Sequence, residues 1–401
     1  MIDFPYLGDI SRKTPTKIVM LVVDGLGGLA HLETGRSELD VARLPNLDAI
    51  AARSACGLTD PVGPGITPGS GPGHMALFGY DPVKYLLGRG VLEALGIGVD
   101  LAEGDVAARG NLATVDDNGL LVDRRAGRIS SAESAPLVEL LDKIEIPSVE
   151  LSVLPVRDYR FVLVMRGEGL NDAVSETDPQ ELSVRPLDAK PMDTASAATA
   201  EAANAFVAAA REALGDRDRA NSVLLRGFSK LPDLPSFGGA YRLNPAAVAA
   251  YPMYRGLARV VGMKVLETGQ TFSEELDTLG KHFEEHDFFF LHYKPADAAG
   301  EDGDFDSKVA RLEELDALLP RLLQLGPDAL VVAGDHASPA VMASHSWHPV
   351  PLLVHSNLTQ GEGVDSFSER ACALGSLGRI PATGVMMLAL AHAGKLTKFG
   401  P

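Results

Sequence analysis

The sequence is poor in cysteine, with Cys56 and Cys372 its only two, holds a single tryptophan, and is short of positive charge, with 36 Lys and Arg against 54 Asp and Glu. So few thiols, so far apart, exclude a disulfide framework and a zinc ribbon, and a reducing cytoplasm is the expected compartment. A formal charge of −18 repels nucleic acid and anionic lipid at long range. Neither is an expected partner. A long apolar run is also lacking: the longest reach about ten residues, half of what a membrane span needs. Residues 1–12 carry Asp3 and Asp9 and no continuous apolar stretch, so neither an export signal nor an anchor is expected. What is present, 401 residues of which 46% are hydrophobic, suffices for a large core, and two or three domains follow from roughly 150 residues per domain. An acidic protein that handles an anionic substrate must invert its potential locally, with clustered arginines, metal ions or helix N-termini.

Residues 17–23 (KIVMLVV) form an apolar, β-branched run that stops at Asp24-Gly25-Leu26-Gly27-Gly28, which reads as a buried strand ending in a loop. Similar runs recur at 287–292, 329–333 and 350–354, each flanked by acidic or histidine residues, and helical stretches such as 306–324 separate them. An α/β fold with helices on both faces of a sheet follows. Ligands in such sheets bind at the carboxyl ends of the strands, so these ends converge on one site. Mixed strands around 108–115 and 159–165, with loops rich in Arg, Asp and Pro, set the middle of the chain apart. The expected organisation is a catalytic domain of residues 1–104 and 219–401, interrupted by an inserted α+β domain of residues 105–218 that closes with an Ala-rich helix over 194–214.

Carboxylates and imidazoles stand at the separate strand ends: Asp24, Asp297, Gly334-Asp335-His336 and His345. With a hydroxyl nearby, that set suits two divalent cations better than one zinc ion. Ser70 lies in Thr67-Pro68-Gly69-Ser70-Gly71-Pro72-Gly73-His74, a glycine-lined loop leading into a helix expected to begin at His74. A hydroxyl at a helix N-terminus beside a cation is a phosphoryl acceptor; the same residues also read as a turn and a cap. His31, His282, His286 and His292 read as surface or packing histidines.

The series VVDGLGG at 22–28, LPNLD at 44–48, TPGSGPGHMALFGYDP at 67–82, GRGVLEALGIG at 88–98, RGNLATVD at 109–116, VDRRAGRI at 122–129, YPMYRGLARVVGM at 251–263, GDHASPA from 334 and HSWHPVPLLV to 354 resembles the cofactor-independent phosphoglycerate mutases, in their shorter, archaeal-type branch of the alkaline phosphatase superfamily. The resemblance implies that superfamily's mixed, mostly parallel sheet, and interconversion of 3-phosphoglycerate and 2-phosphoglycerate in glycolysis and gluconeogenesis. It further implies Ser70 as phosphorylated nucleophile. Asp24, Asp335 and His336, with Ser70, match the first metal's ligands, and Asp297 and His345 match the second's; His345 fits the spacing to Pro349-Val350-Pro351 better than His348 does.

One position departs. Where the family carries a histidine four residues after the aspartate, this chain has Glu301. A carboxylate ligand there makes the site harder, favouring Mn²⁺ or Mg²⁺ over zinc; in the other reading Glu301 is solvated and the site is depleted or filled by Asp302. Guanidinium groups bind carboxylate and phosphate bidentately. Arg109, Arg125 and Arg128 in the matching insertion motifs and Arg255 within the motif that begins at Tyr251 are candidate substrate contacts. Asp178 either orients the glycerate hydroxyls or caps a turn, and Lys294 either meets phosphate or lies on the surface among acids. In the implied reaction, Ser70 takes the phosphoryl group, glycerate turns in a closed cleft, and its other hydroxyl takes the group back; water reaching the phosphoserine would turn the mutase into a phosphatase. The same scaffold also serves metal-dependent phosphatases and homoserine-kinase-like phosphotransferases, the alternative reading.

Overall fold

Six consecutive apolar residues, Ile18–Val23, make a strand buried along its whole length, and its neighbours Phe288–Tyr293 and Ala329–Ala333 are buried equally. In the computed structural model, which describes residues 1–215, 217–359 and 363–401, these three lie side by side and parallel at the centre of an eight-stranded sheet. Continuous apolar strands of this kind require cover on both faces. The sheet runs, from one edge, Gly378–Pro381, Ala55–Asp60, Val350–Ser356, Ala329–Ala333, Ile18–Val23, Phe288–Tyr293, Pro245–Val248 and Lys264–Val265. Only Val350–Ser356 runs against the rest. The mixed, mostly parallel sheet that the resemblance implies is thus present. The reversal matters for the site: the loop leading into Val350–Ser356 reaches the same edge as the loops leaving the parallel strands.

The long helix Phe305–Gln324 buries Leu312, Leu315, Leu319 and Leu322, a helical period, in the core formed with Leu39, Leu47, Phe272 and Leu276. It also carries polar tethers. Asp316 accepts the Asn46 and Leu47 N–H groups at 3.2 and 2.7 Å, supplying the N-terminal cap of helix Pro45–Ala51 that Leu44 lacks the chemistry to give. Lys308, fully buried, donates through Nζ to the carbonyls of Gly27 and Ser338 at 2.9 and 2.8 Å and lies 3.9 Å from the Glu38 carboxylate. It ties together the loops that follow Ile18–Val23 and Ala329–Ala333.

The chain divides into two compact units, residues 1–86 with 234–401, and residues 87–233. The second is wider than the 105–218 drawn from the sequence, because helix Arg89–Gly96 packs on strand Val106–Val115 and strand Ser222–Ser229 pairs with it. Its antiparallel sheet places Val106–Val115 between Ser222–Ser229 and Arg160–Arg166, with Glu150–Arg157 beyond the latter and Leu121–Asp123 at one end. Val106, Ala108 and Leu112 face a core shared with helices Ser131–Leu141 and Ala197–Leu214. Alternation turns Arg109 and Asn111 to the other face, which holds helix Arg89–Gly96. Among the described residues no helix is long and apolar enough to cross a membrane.

Candidate active site

Asp24 ends the first strand, fully buried, and the chain turns at once through Gly25 at φ +64°. A Cβ at Gly25 would fall 2.8 Å from Asp297 Oδ1, so both the backbone conformation and the space demand glycine. The Gly25 N–H donates to Asp335 Oδ1 at 3.2 Å, drawing in the loop after Ala329–Ala333. Ser70 arrives on helix Ser70–Leu77, which begins four residues before the expected His74. The expectation failed because Gly71, Pro72 and Gly73 read as breakers. Pro72 costs no hydrogen bond in a first turn, and Gly73 is required there: a Cβ would strike the Asp335 carbonyl oxygen at 2.1 Å.

Ser70 Oγ lies 3.1 Å from His336 Nε2, and that nitrogen lies 3.3 Å from Asp24 Oδ1 and 3.1 Å from Asp335 Oδ2. Donor atoms of Asp24, Asp335 and His336 fall within 4.8 Å of one another, and so do those of Asp297, His336 and His345. Asp297 sits on the short helix Pro295–Glu301 after Phe288–Tyr293, and His345 in the loop before the reversed strand. His345 Nε2 is 3.6 Å from Asp297 Oδ1 and 3.2 Å from Glu301 Oε1. His348 points elsewhere, to the Ser346 hydroxyl and the Trp347 ring.

Three acids in one buried site repel one another. Burial and Asp24 push the Asp297 carboxyl up, although Lys294 opposes them. Asp335 is held well below the carboxylate range: burial raises it, but His336 and His74 outweigh burial. For His336 burial works downward, yet Asp335, Asp24 and Asp297 bring it up to about 9. Lys294, ion-paired with Asp24 and Asp297, is raised by those two acids against the effect of burial. Asp24 Oδ1 and Asp335 Oδ2 are nevertheless buried without a hydrogen-bond partner. Orphaned carboxylate oxygens are costly unless a cation meets them, so the donor set fits divalent metal binding. Its donors are carboxylate oxygens and imidazole nitrogens, which several divalent cations accept.

The five side chains matched to metal ligands, Asp24, Asp297, Asp335, His336 and His345, meet in the first unit with Ser70. Glu301 joins them at the rim, with its side chain 53% exposed. The other substrate candidates fare differently. Arg109, in the second unit, is buried and 3.2 Å from Glu93; burial raises the Glu93 carboxyl, and Arg109, Arg160 and Arg89 oppose that rise only in part. Asp178 is buried and bound through both oxygens by Arg124 at 2.7 Å, with Arg226 3.6 Å away. Arg125 and Arg128 are exposed. Arg255 pairs with Glu267 at 2.9 Å. Several residues escaped the sequence reading. The Tyr254 hydroxyl donates to Asp24, His292 stacks on the Tyr254 ring with centroids 3.6 Å apart, and its Nε2 lies 3.4 Å from Asp24. Burial lowers His292 to about 4, so it is neutral. Its place at the end of strand Phe288–Tyr293, two residues before Lys294, was the available signal.

A mostly parallel sheet interrupted by a second α+β unit, with a serine facing paired carboxylate–imidazole groups at the strand ends, defines an α/β enzyme scaffold. A sequence model of the family described as 2,3-bisphosphoglycerate-independent phosphoglycerate mutase matches residues 51–219. The chain is 50% identical over 396 residues, 98% of each chain, to a probable 2,3-bisphosphoglycerate-independent phosphoglycerate mutase of Thermosipho africanus, and 49% identical to its namesake from Thermus thermophilus over 404 residues, 99% of each. Among solved structures, the PH0037 protein from Pyrococcus horikoshii superposes with a TM-score of 0.83 at 27% identity, covering 98% of this chain and 100% of that one. The cofactor-independent phosphoglycerate mutase from Thermoplasma acidophilum gives 0.72 at 29% identity, covering 94% and 100%. This chain belongs to the family of 2,3-bisphosphoglycerate-independent phosphoglycerate mutases, which are isomerases.

Proposed function

We propose that this protein interconverts 3-phosphoglycerate and 2-phosphoglycerate in the cytoplasm, as a step of glycolysis and gluconeogenesis, through a phosphoserine at Ser70. The observation that carries the reading is the meeting of Asp24, Ser70, Asp335 and His336 around one point, from three distant stretches of sequence. Asp24, Asp335 and His336 with Ser70 would hold one divalent cation, and Asp297, His345 and Glu301 a second. When bound, the two cations neutralise phosphoryl oxygens and lower the pKa of the serine hydroxyl. Ser70 Oγ forms the bond to phosphorus as the glycerate oxygen leaves, and the freed glycerate then presents its other hydroxyl to the phosphoserine. Lys294 places a positive charge beside Asp24 and Asp297, where an incoming phosphate meets it. Substrate recognition is assigned to the second unit, chiefly to Arg109 with Arg89 and Arg160, which bring local positive charge to an acidic protein.

The test is phosphorus NMR of purified protein given 3-phosphoglycerate, Mn²⁺ and no 2,3-bisphosphoglycerate. A 2-phosphoglycerate signal that a chelator abolishes and Mn²⁺ restores is expected. Inorganic phosphate as the sole product would replace the mutase with a phosphatase.

A further inference from the structure

Ser338 is buried, as are Asp297 and His336, and it touches both. Its hydroxyl donates to Asp297 Oδ1, and its Oγ lies 3.1 Å from His336 Nδ1. A charged carboxylate only accepts, so the one hydroxyl proton goes to Asp297; Oγ is left as an acceptor, and the hydrogen of the second contact must sit on His336 Nδ1. A cation bound at the other nitrogen displaces the remaining ring proton, so the lone pair it would meet is on Nε2. That nitrogen faces Asp24, Asp335 and Ser70 at 3.3, 3.1 and 3.1 Å. Distance alone leaves His336 shared between the two donor groups, but an imidazole hydrogen-bonded through Nδ1–H has one lone pair to give.

The backbone gives Ser338 little freedom to do otherwise. Its N–H donates to the Gly27 carbonyl at 3.0 Å, and its own carbonyl accepts from Lys308 Nζ at 2.8 Å. A Cβ at Gly300 would fall 2.2 Å from the Ser338 oxygen, and one at Gly25 2.8 Å from its Oγ, so two helix and turn backbones close on it. We infer that Ser338 is a positioning residue that assigns His336 to the Asp24–Asp335 group alone and leaves Asp297, His345 and Glu301 to hold the second cation. The inference rests on the two-cation reading above and adds which ring nitrogen serves which cation, and why.

Chelator-treated wild type and Ser338→Ala are titrated with Mn²⁺, free ion being read by electron paramagnetic resonance. In parallel, ¹⁵N-histidine-labelled wild type is loaded with diamagnetic Mg²⁺ and the His336 ring nitrogens are assigned against a His336→Gln spectrum. Two Mn²⁺ bound by wild type, a loss of roughly 10–100-fold in affinity for one of them in the variant, and a hydrogen on Nδ1 in the Mg²⁺ form are expected. Equal affinities in wild type and variant overturn the role of Ser338 and leave the mutase reading standing. A hydrogen on Nε2 overturns it too, whether or not the variant folds. Wild type that binds no Mn²⁺ removes the two-cation reading itself and this inference with it.

Discussion

At the scale of single residues, the site depends on one hydroxyl. Replacing Ser70 by alanine removes the phosphoryl acceptor while leaving Asp24, Asp335 and His336 in place, so turnover should fall by about three orders of magnitude or more, with Mn²⁺ binding weakened far less. Stopped assays of 2-phosphoglycerate formation measure the first, and the titration described above the second; an unchanged rate would remove the nucleophile. A residue remote from the chemistry contributes to the pH dependence of stability. Glu275, on helix Phe272–His282, accepts the Ala250 N–H at 2.7 Å and is buried, and burial raises its carboxyl from 4.5 to about 8 against the effect of that hydrogen bond. Between those values the unfolded chain sheds the proton and the native state keeps it, so Glu275 lowers stability as pH rises from about 4.5 to about 8. Glu275→Gln removes the titration and keeps an acceptor for Ala250. Denaturation at pH 5 and pH 8 should show the variant gaining on wild type by roughly 2–4 kcal/mol at the higher pH; a gap that does not change with pH would refute the assignment.

At the scale of elements, one lysine on one helix fixes the loops that carry the site. Lys308→Ala deletes two hydrogen bonds to buried carbonyls and leaves the Glu38 carboxylate without its nearest cation, which should cost about 3–5 kcal/mol in denaturant unfolding. A loss under about 1 kcal/mol would show the tether to be dispensable. The strands were legible because a run buried on both faces is uniformly apolar, and Ile18–Val23, Ala329–Ala333 and the Phe288 run are. Helix Ser70–Leu77 was not. Its first turn is tuned to a close approach to Asp335, and glycine serves that contact at the expense of local helix propensity. Lys308 was equally hidden, since nothing in its neighbours' pattern separates a buried lysine from an exposed one on an amphipathic helix.

At the scale of the molecule, residues 87–233 are contiguous in sequence and enclose their own core, from Val106 and Phe161 to Phe206 and Phe228. Expressed alone, that segment should melt cooperatively, as followed by circular dichroism, and bind no Mn²⁺, since the candidate metal groups lie in the other unit. A fragment without a transition would mean its core needs the flanking chain. Removing the divalent cation from the whole protein should lower its melting temperature, because the three clustered acids then have only Lys294 and the neighbouring imidazoles to offset their repulsion; a rise on chelation would contradict the fit of the donor set.

Composition, the apolar runs and the order of acids and histidines along the chain determined the fold class and nearly all of the candidate ligands, because those properties are local or set by short spacings. The tertiary structure alone decided which residues share a cluster and how they are held: that the reversed strand brings His345 to the edge occupied by Asp297, that Asp178 is engaged by Arg124, and that Tyr254, His292, Ser338 and Lys308 surround the acids. Those relations join residues far apart in sequence through hydrogen bonds, and the geometry of a hydrogen bond exists only once the chain is packed.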